Sequence, residues 1–405
     1  MRPEYAVVSP EFGIAEGATL LPPNEGLPLW LAAVSLRQDV PAGGSYSASV
    51  VGAAGLSRGN AWVRGVGEAV ERYALAPAVG TEIGPSPGLP EVTDELATHG
   101  VVGDLPPGGP TYPATRLATG EPCAVPRVAV DYPGAGLGDQ ADQTPSGAAS
   151  ALGRDRALVR ATLELVERDA FERAWQGITT PHRVDLVEVA STADPDARAH
   201  LDALGTILRD HGATARMGIL PTITGVPAVT ALVQRGDGPV GVGCSVGASV
   251  AACAIKAIVE GLQVESLLTN WRAQPGADAP DSVDRPRTEA DRIEYLGTSA
   301  ATRAAADFAD AFTDRPVAGL VAPPDTSAAL AAQLAGLGVH LFAVDLTGRL
   351  PEPVRALGWK TVRVLPAGLQ PLRGNDRLPW NWAPLRVPGR AHAAGEPPRP
   401  PHPLA

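Results

Sequence analysis

Apolar positions in this chain recur at helical spacing in three long stretches. Between residues 60 and 76, Trp62, Val66, Ala69, Val70 and Tyr73 fall three or four residues apart, the period of an amphipathic helix. Asn60 is the expected N-cap and Pro77 the expected stop. A second helix is expected over 154–177. A third is expected over 250–272, where Ile255, Ile258, Val259 and Leu262 line one side. Shorter β-rich runs predict strands at 5–9, at 50–51 and as a pair around 122–130. The runs 229–233 and 240–243 flank Gly236-Asp237-Gly238 and predict a hairpin. The last third alternates helix (328–337) with strands (339–345 and 360–365). Stretches rich in Pro, Gly or Ser at 80–112, 139–153 and 273–290 read as loops, and the tail from Pro384 reads as extended. Helices and strands interleave without a short repeat, so the expected fold class is α/β (mixed α+β). It is expected as one domain over 1–383 with a Pro-rich tail over 384–405.

Polar residues interrupt the helical stripes in a repeated way. Gly67-Glu-Ala-Val-Glu-Arg-Tyr-Ala74 is echoed by Leu163-Glu-Leu-Val-Glu-Arg-Asp-Ala170, each behind a loop rich in Gly and Ser. Positions i, i+3 and i+4 share a helix face. Glu68, Glu71 and Arg72 therefore project together, as do Glu164, Glu167 and Arg168. One reading is a solvated face with an i,i+4 ion pair worth about 0.2–0.5 kcal/mol. The other is a ligand site. Paired carboxylates can hold Mg²⁺ with positions left for phosphate oxygens, and a guanidinium can grip phosphate bidentately. Two copies set in otherwise apolar helices favour the second. On the third helix Lys256, Glu260 and Gln263 share a face by the same geometry.

Composition narrows the remaining classes. Apolar residues make up 44% of the 405, enough to bury a large core. Net charge is −11 and no basic run stands out, so nucleic acid is not an expected partner. Cys123, Cys244 and Cys253 are too few and too scattered for a disulfide framework or a four-cysteine zinc site. The N-terminus lacks an apolar signal region, and the apolar stretch around 27–36 is too short to span a bilayer. A cytoplasmic protein without a membrane partner is expected. Four of the histidines, His99, His182, His200 and His211, show no ligand spacing, and no Walker A loop, dinucleotide fingerprint or zinc motif occurs.

Taken together, the motifs resemble the YcaO superfamily, enzymes that use ATP to activate backbone amides of peptides. The resemblance rests on several stretches: Gly55-Leu-Ser57 with Glu68-Ala-Val-Glu-Arg-Tyr73, Thr144-Pro-Ser-Gly147 with the 164–170 repeat, and Lys256-Ala-Ile-Val-Glu-Gly-Leu-Gln263. Val344-Asp-Leu-Thr347 and Val362-Arg-Val-Leu-Pro-Ala-Gly-Leu-Gln-Pro371 follow in order, over about residues 5–375. The resemblance implies a YcaO-like fold with ATP and clustered Mg²⁺ between the three motif helices. It implies metal contacts from Glu68, Glu71, Glu164, Glu167 and Glu260. Nucleotide contacts are implied for Arg64, Glu68, Arg72, Ser146, Arg168, Lys256 and Gln263. Three positions depart from the family pattern: Ala54 and Arg64, where lysine and serine are common, and Glu265, where many relatives carry arginine. Arg64 is expected to supply the charge missing at Ala54.

The implied activity is an ATP-dependent cyclodehydratase of ribosomal peptide maturation, phosphorylating a backbone amide oxygen during thiazoline or oxazoline formation. Macrocyclic amidine formation, thioamide formation and a non-catalytic scaffold of a peptide-maturation complex are the alternatives. In the azoline-forming branch a Pro-rich carboxyl end contributes its terminal carboxylate; the resemblance implies that role for Ala405, although Pro400-Pro-His-Pro-Leu-Ala405 lacks the full alternating Pro-x-Pro-x-Pro form, and a disordered tail without a role is the other reading. Expected partners are a ribosomally made precursor peptide, a separate leader-peptide-binding protein and a second copy of the chain in a homodimer.

Overall fold

The first residues turn where a strand was expected. Pro10 opens a single 3-10 turn, Pro10–Phe12, which Gly13 closes in the left-handed region (φ 83°). Val7 and Val8 consequently both point inward, which the alternating faces of a strand would forbid. The computed structural model describes residues 5–37, 49–77, 86–133, 140–142, 144–274, 285–388 and 399–404. Three sheets carry the architecture. β1 (Ala15–Leu21), β2 (Trp30–Leu36) and β3 (Val50–Gly55) form an antiparallel meander. α1 (Arg58–Leu75) follows it directly. Its N-cap is Ser57, whose side chain accepts the Asn60 amide, so the expected cap Asn60 lies inside the first turn.

α2 (Thr93–Thr98) breaks up the stretch expected as loop. β4 (Thr111–Arg116) pairs with β5 (Pro122–Pro126), while the expected second strand of the 122–130 pair becomes a 3-10 turn, Arg127–Ala129. β6 (Ala148–Leu152) lies inside the expected loop 139–153 and leads into α3 (Arg154–Trp175). Next come β7 (His182–Val184), α4 (Leu186–Thr192), α5 (Pro195–Asp210) and β8 (Ala213–Ile219). The expected hairpin is β9 (Ala228–Arg235) and β10 (Val240–Val246). α6 (Val250–Arg272) has the expected ends. α7 (Glu289–Leu296), α8 (Ser299–Asp310), α9 (Ser327–Gly336), β11 (His340–Asp345), α10 (Glu352–Ala356) and β12 (Trp359–Ala367) complete the order.

The second sheet runs β10-β9-β8-β7 and the third β5-β4-β11-β12-β6, each antiparallel throughout. α3 touches β6 and β12 of one sheet and β10 of the other, so it is wedged between them. α6 lies directly on the backbone of β10. A Cβ at Gly241 or Gly243 would fall 2.1 Å from the carbonyl oxygen of Gly261 or Ala257, closer than any side chain tolerates. Apolar burial locks both helices in place: Leu165 and Val166 of α3 pack on Val362 and Val364, and Ile258 and Leu262 of α6 join Val229 and Val233. No helix among the described residues is long and apolar enough to cross a membrane.

The described parts of the expected tail are not simply extended. Residues 384–388 form turns, with Arg386 bound to Asp169. Residues 399–404 are docked on the end of α3, where the Trp175 indole N–H donates to the Pro400 carbonyl at 2.7 Å.

Candidate functional site

α1, α3 and α6 bring their polar stripes together below the sheet edges. On α1, Glu68 and Arg72 form an ion pair of 2.8 Å, and the Arg72 guanidinium lies 5.7 Å from the Tyr132 ring centre. Glu71 is one turn deeper. Burial, together with the neighbouring Glu68 charge, holds its carboxyl well above the usual range, with Arg72 opposing and Glu164 adding to the rise. On α3, Arg168 stands 3.5 Å from Glu164 and 3.3 Å from Glu167. Burial raises the Glu164 carboxyl, and Arg168, Arg72 and Arg363 resist the rise. Glu167 is pushed up to about 8 by burial, against Arg168 and with help from Glu260 and Glu164.

On α6, Glu260 accepts the Cys244 amide at 3.0 Å, and Glu167 accepts the Val246 amide at 3.0 Å. Both bonds satisfy the outer edge of β10, the free side of its sheet. The glycine contact of α6 with β10 is what lets Glu260 reach this edge. Burial raises Glu260, opposed by Arg168 and Arg64. Arg64, one turn before Glu68, lies in the field of Glu260 and Glu68, and burial lowers it.

Arg64, Glu68, Glu71, Arg72, Glu164, Glu167, Arg168 and Glu260 thus converge, and the other predicted residues do other things. Gln263 spends its amide on the β3 backbone, accepting from the Ala54 N–H at 2.8 Å and donating to the Gly52 carbonyl at 3.1 Å. It fastens β3 to α6. Lys256 is exposed and makes no ion pair with another described residue. Ala405 lies outside the described residues. Ser146 is buried in the turn before β6. Gly147 makes that turn possible: its φ is +80°, and an added Cβ would fall 2.4 Å from the Val364 carbonyl.

Arg363 belongs to the cluster and was not among the predicted residues. It sits mid-strand on β12, 6% exposed, and donates to the Thr144 carbonyl at 2.9 Å. Burial pulls its guanidinium down to about 10, with Glu164 and Glu71 opposing, so it is cationic at neutral pH. The signal was a lone arginine inside the apolar run Val362-Arg-Val-Leu365.

The group suits a metal–phosphate ligand on two counts. Arg168 Nε and Arg363 Nε and Nη1 are buried without a hydrogen-bond acceptor, and Arg168 Nη1 has only the Glu167 carboxylate at 3.3 Å, out of hydrogen-bonding alignment; such donors are costly unless an anion meets them. Around them, raised carboxylates resist ionisation unless a cation arrives. No three His, Cys, Asp or Glu side chains among the described residues close on one point as a cage.

A family model of YcaO cyclodehydratases, described as ATP- and Mg²⁺-binding, matches residues 52–370. The chain belongs to the YcaO family. As a family member it is an ATP- and Mg²⁺-binding protein. A search of curated protein sequences gives no significant match. Among solved structures this YcaO protein resembles a heterocyclase in complex with substrate and cofactor (TM-score 0.65, 16% identity), covering 92% of this chain and 53% of the heterocyclase. It thus spans about half the length of that protein. It also resembles the YcaO of Methanopyrus kandleri bound with AMPPCP and Mg²⁺ (TM-score 0.61, 18% identity, 91% and 89% of the two chains). A third likeness is a chain of the E. coli microcin synthetase McbBCD complex with pro-MccB17 bound (TM-score 0.58, 15% identity, 87% and 88%). At these identities the likeness is one of fold.

Proposed function

We propose that this YcaO protein is an ATP-dependent cyclodehydratase that phosphorylates a backbone amide oxygen of a ribosomally made precursor peptide during thiazoline or oxazoline formation. The observation that carries the reading is the cluster itself, raised carboxylates interleaved with buried guanidinium groups whose N–H donors lack acceptors. Bound ATP would supply the phosphoryl group and Mg²⁺ would neutralise its charge. Glu68, Glu71, Glu164, Glu167 and Glu260 would hold the metal ions in ones and twos. Arg72, Arg168 and Arg363 would grip phosphate, since charge-assisted bonds to a desolvated anion are the strongest available here. Arg64 would add the positive charge that the methyl side chain of Ala54 lacks; Ala54 itself is fully buried in an apolar cluster. Ser146 would meet the nucleotide at the turn before β6. Gln263 would act by holding β3 in place, and Lys256 would meet solvent-side phosphate.

For this chemistry the residues must position reactants and stabilise developing charge. The azoline reading is supported by the carboxyl-terminal segment. Leu404 is 1% exposed and belongs to the apolar cluster that also holds Phe171, Cys244 and Val246, the last two being the residues whose amides Glu260 and Glu167 accept. Residues 399–404 thus reach the apolar cluster that contains part of β10. A precursor peptide and a leader-binding partner protein are the proposed associates, in a homodimer and in the cytoplasm.

The test is product mass. Purified protein with ATP, Mg²⁺ and candidate precursor peptides should give a product lighter by one water, with ring formation at Cys, Ser or Thr seen on fragmentation. Water loss at the peptide's amino terminus would indicate an amidine, and oxygen-to-sulfur exchange would indicate a thioamide. Neither ATP turnover nor nucleotide binding would leave only a scaffold.

A further inference from the structure

A second buried polar network lies outside the cluster, around residues 373–381, and its contacts run to the carboxyl-terminal segment. Arg292 of α7 is 5% exposed and uses its guanidinium as a hub. Nη1 donates to the His402 carbonyl at 2.8 Å. Nη2 donates to the carbonyls of Arg373 (2.8 Å) and Gly374 (3.0 Å) and to Asp376 (2.7 Å). The His402 ring donates from Nε2 to the Arg373 carbonyl at 2.6 Å. Arg373 is fixed in turn by Asn381 at 2.7 Å, by the Leu378 carbonyl at 2.9 Å and by stacking on Trp382. Asp142 accepts the Gly374 and Asn375 amides at 3.0 and 2.8 Å. Nearer the start of the segment, Arg399 donates to the Trp175 carbonyl at 2.9 Å.

We infer that Arg292 is a positioning residue: it clamps residues 399–404 onto the fold, next to the β10 edge that Glu260 and Glu167 bind. A Pro-rich segment has few amides with which to fasten itself, since proline lacks the N–H donor. Its carbonyls must therefore be gripped by outside donors. Trp175 grips Pro400 and Arg292 grips His402, two residues before Leu404 enters the apolar cluster shared with Cys244 and Val246. Removing the Arg292 donor leaves His402 held only through its ring's bond to the Arg373 carbonyl, and Leu404 only by apolar packing. The inference deepens the proposed amide-activating reading and rests on it for its kinetic consequence.

The experiment compares the full chain, Arg292→Met, Arg292→Lys and a chain stopped after residue 398 with and without Arg292→Met. In Arg292→Met, carboxypeptidase Y should strip the carboxyl end about tenfold faster, because local opening sets that rate. ATP turnover with peptide should fall about tenfold or more while the Kd for Mg²⁺–AMPPCP stays within about threefold. Arg292→Lys, which keeps one donor and the charge opposite Asp376, should lie between. In the shortened chain Arg292→Met should change turnover by less than about twofold, since two changes acting through one element do not add. Unchanged carboxypeptidase rates overturn the clamp, and so does an equal loss of turnover with and without the segment. If circular dichroism shows Arg292→Met unfolded, Arg292→Lys is judged by the same comparisons. A wild-type chain without turnover defeats the proposed reaction, whereas the protease rates still decide the clamp.

Discussion

Replacing Glu167 by glutamine separates a ligand site from a structural ion pair. Glu167 is 8% exposed, accepts the Val246 amide and stands 3.3 Å from Arg168. Burial lifts its carboxyl from an ordinary 4.5 to about 8, and the Arg168 attraction is already included in that balance. A carboxylate with a raised folded-state value contributes stability that is complete below the unfolded value and lost as pH rises through the folded one. At pH 7 the ligand-free chain therefore carries a penalty of about 3 kcal/mol from this group, at 1.36 kcal/mol per unit. Glutamine keeps an acceptor for Val246 and drops the charge. The variant should melt no lower than wild type, with a lead that grows from near zero at about pH 5 to a few degrees at about pH 8. Mg²⁺-dependent ATP turnover should vanish. The assay is a pair of thermal melts with chelator across that range, beside a turnover assay. A variant that melts several degrees below wild type at the alkaline end would refute the reasoning, because the Arg168 pair would then outweigh desolvation.

Other expectations share this physics. Glu167, pushed up to about 8, carries its proton at pH 7, so Mg²⁺–nucleotide binding there should release about one proton and tighten as pH rises. Calorimetry in two buffers of different ionisation enthalpy checks this, and a buffer-independent heat would contradict it. Arg363→Met should weaken AMPPCP binding by about tenfold to a hundredfold, the range of one charge-assisted hydrogen bond, with little loss of stability in the free chain. Equal affinity would mean that phosphate is held elsewhere. Gly243→Ala should destabilise by about 1–3 kcal/mol in urea unfolding, since its Cβ would meet the Ala257 carbonyl at 2.1 Å. Turnover should fall with it, because Glu260 reaches the β10 edge through that contact.

Local chemistry decided what the sequence made legible. The ends of α6 are as expected because Ser249 caps a continuous apolar helix. α1 starts two residues early because Ser57 takes the cap in place of Asn60. The elements between 178 and 227 received no assignment, although Asp185 and Asp194 cap α4 and α5 and were visible signals. The Glu-x-x-Glu-Arg faces could be read because i, i+3 and i+4 geometry is internal to one helix. Their mutual approach could not, since it depends on glycines 241 and 243 admitting α6 to β10 and on α3 lying between two sheets. Arg363 joins the site through strand order, which no local spacing reveals.

The three-helix cluster differs from two other buried ion-pair networks of the same molecule. Asp131 is also buried among arginines, yet it accepts hydrogen bonds from Tyr112, Arg127 and Arg349. Asp169 is fully buried and accepts from Arg386 and the Gln370 amide. Those networks close on themselves, as structural ion pairs must if burial is not to cost more than pairing returns. In the three-helix cluster the same residue types do not close. Arg168 and Arg363 keep buried N–H groups without acceptors. Glu167 is lifted to about 8 within reach of a guanidinium that could have been aligned to it. A fold able to satisfy Asp131 and Asp169 had the means to satisfy these groups as well. Leaving donors and carboxylates unmatched side by side sacrifices stability in the free chain, and a bound anion together with its cations is the arrangement that recovers it.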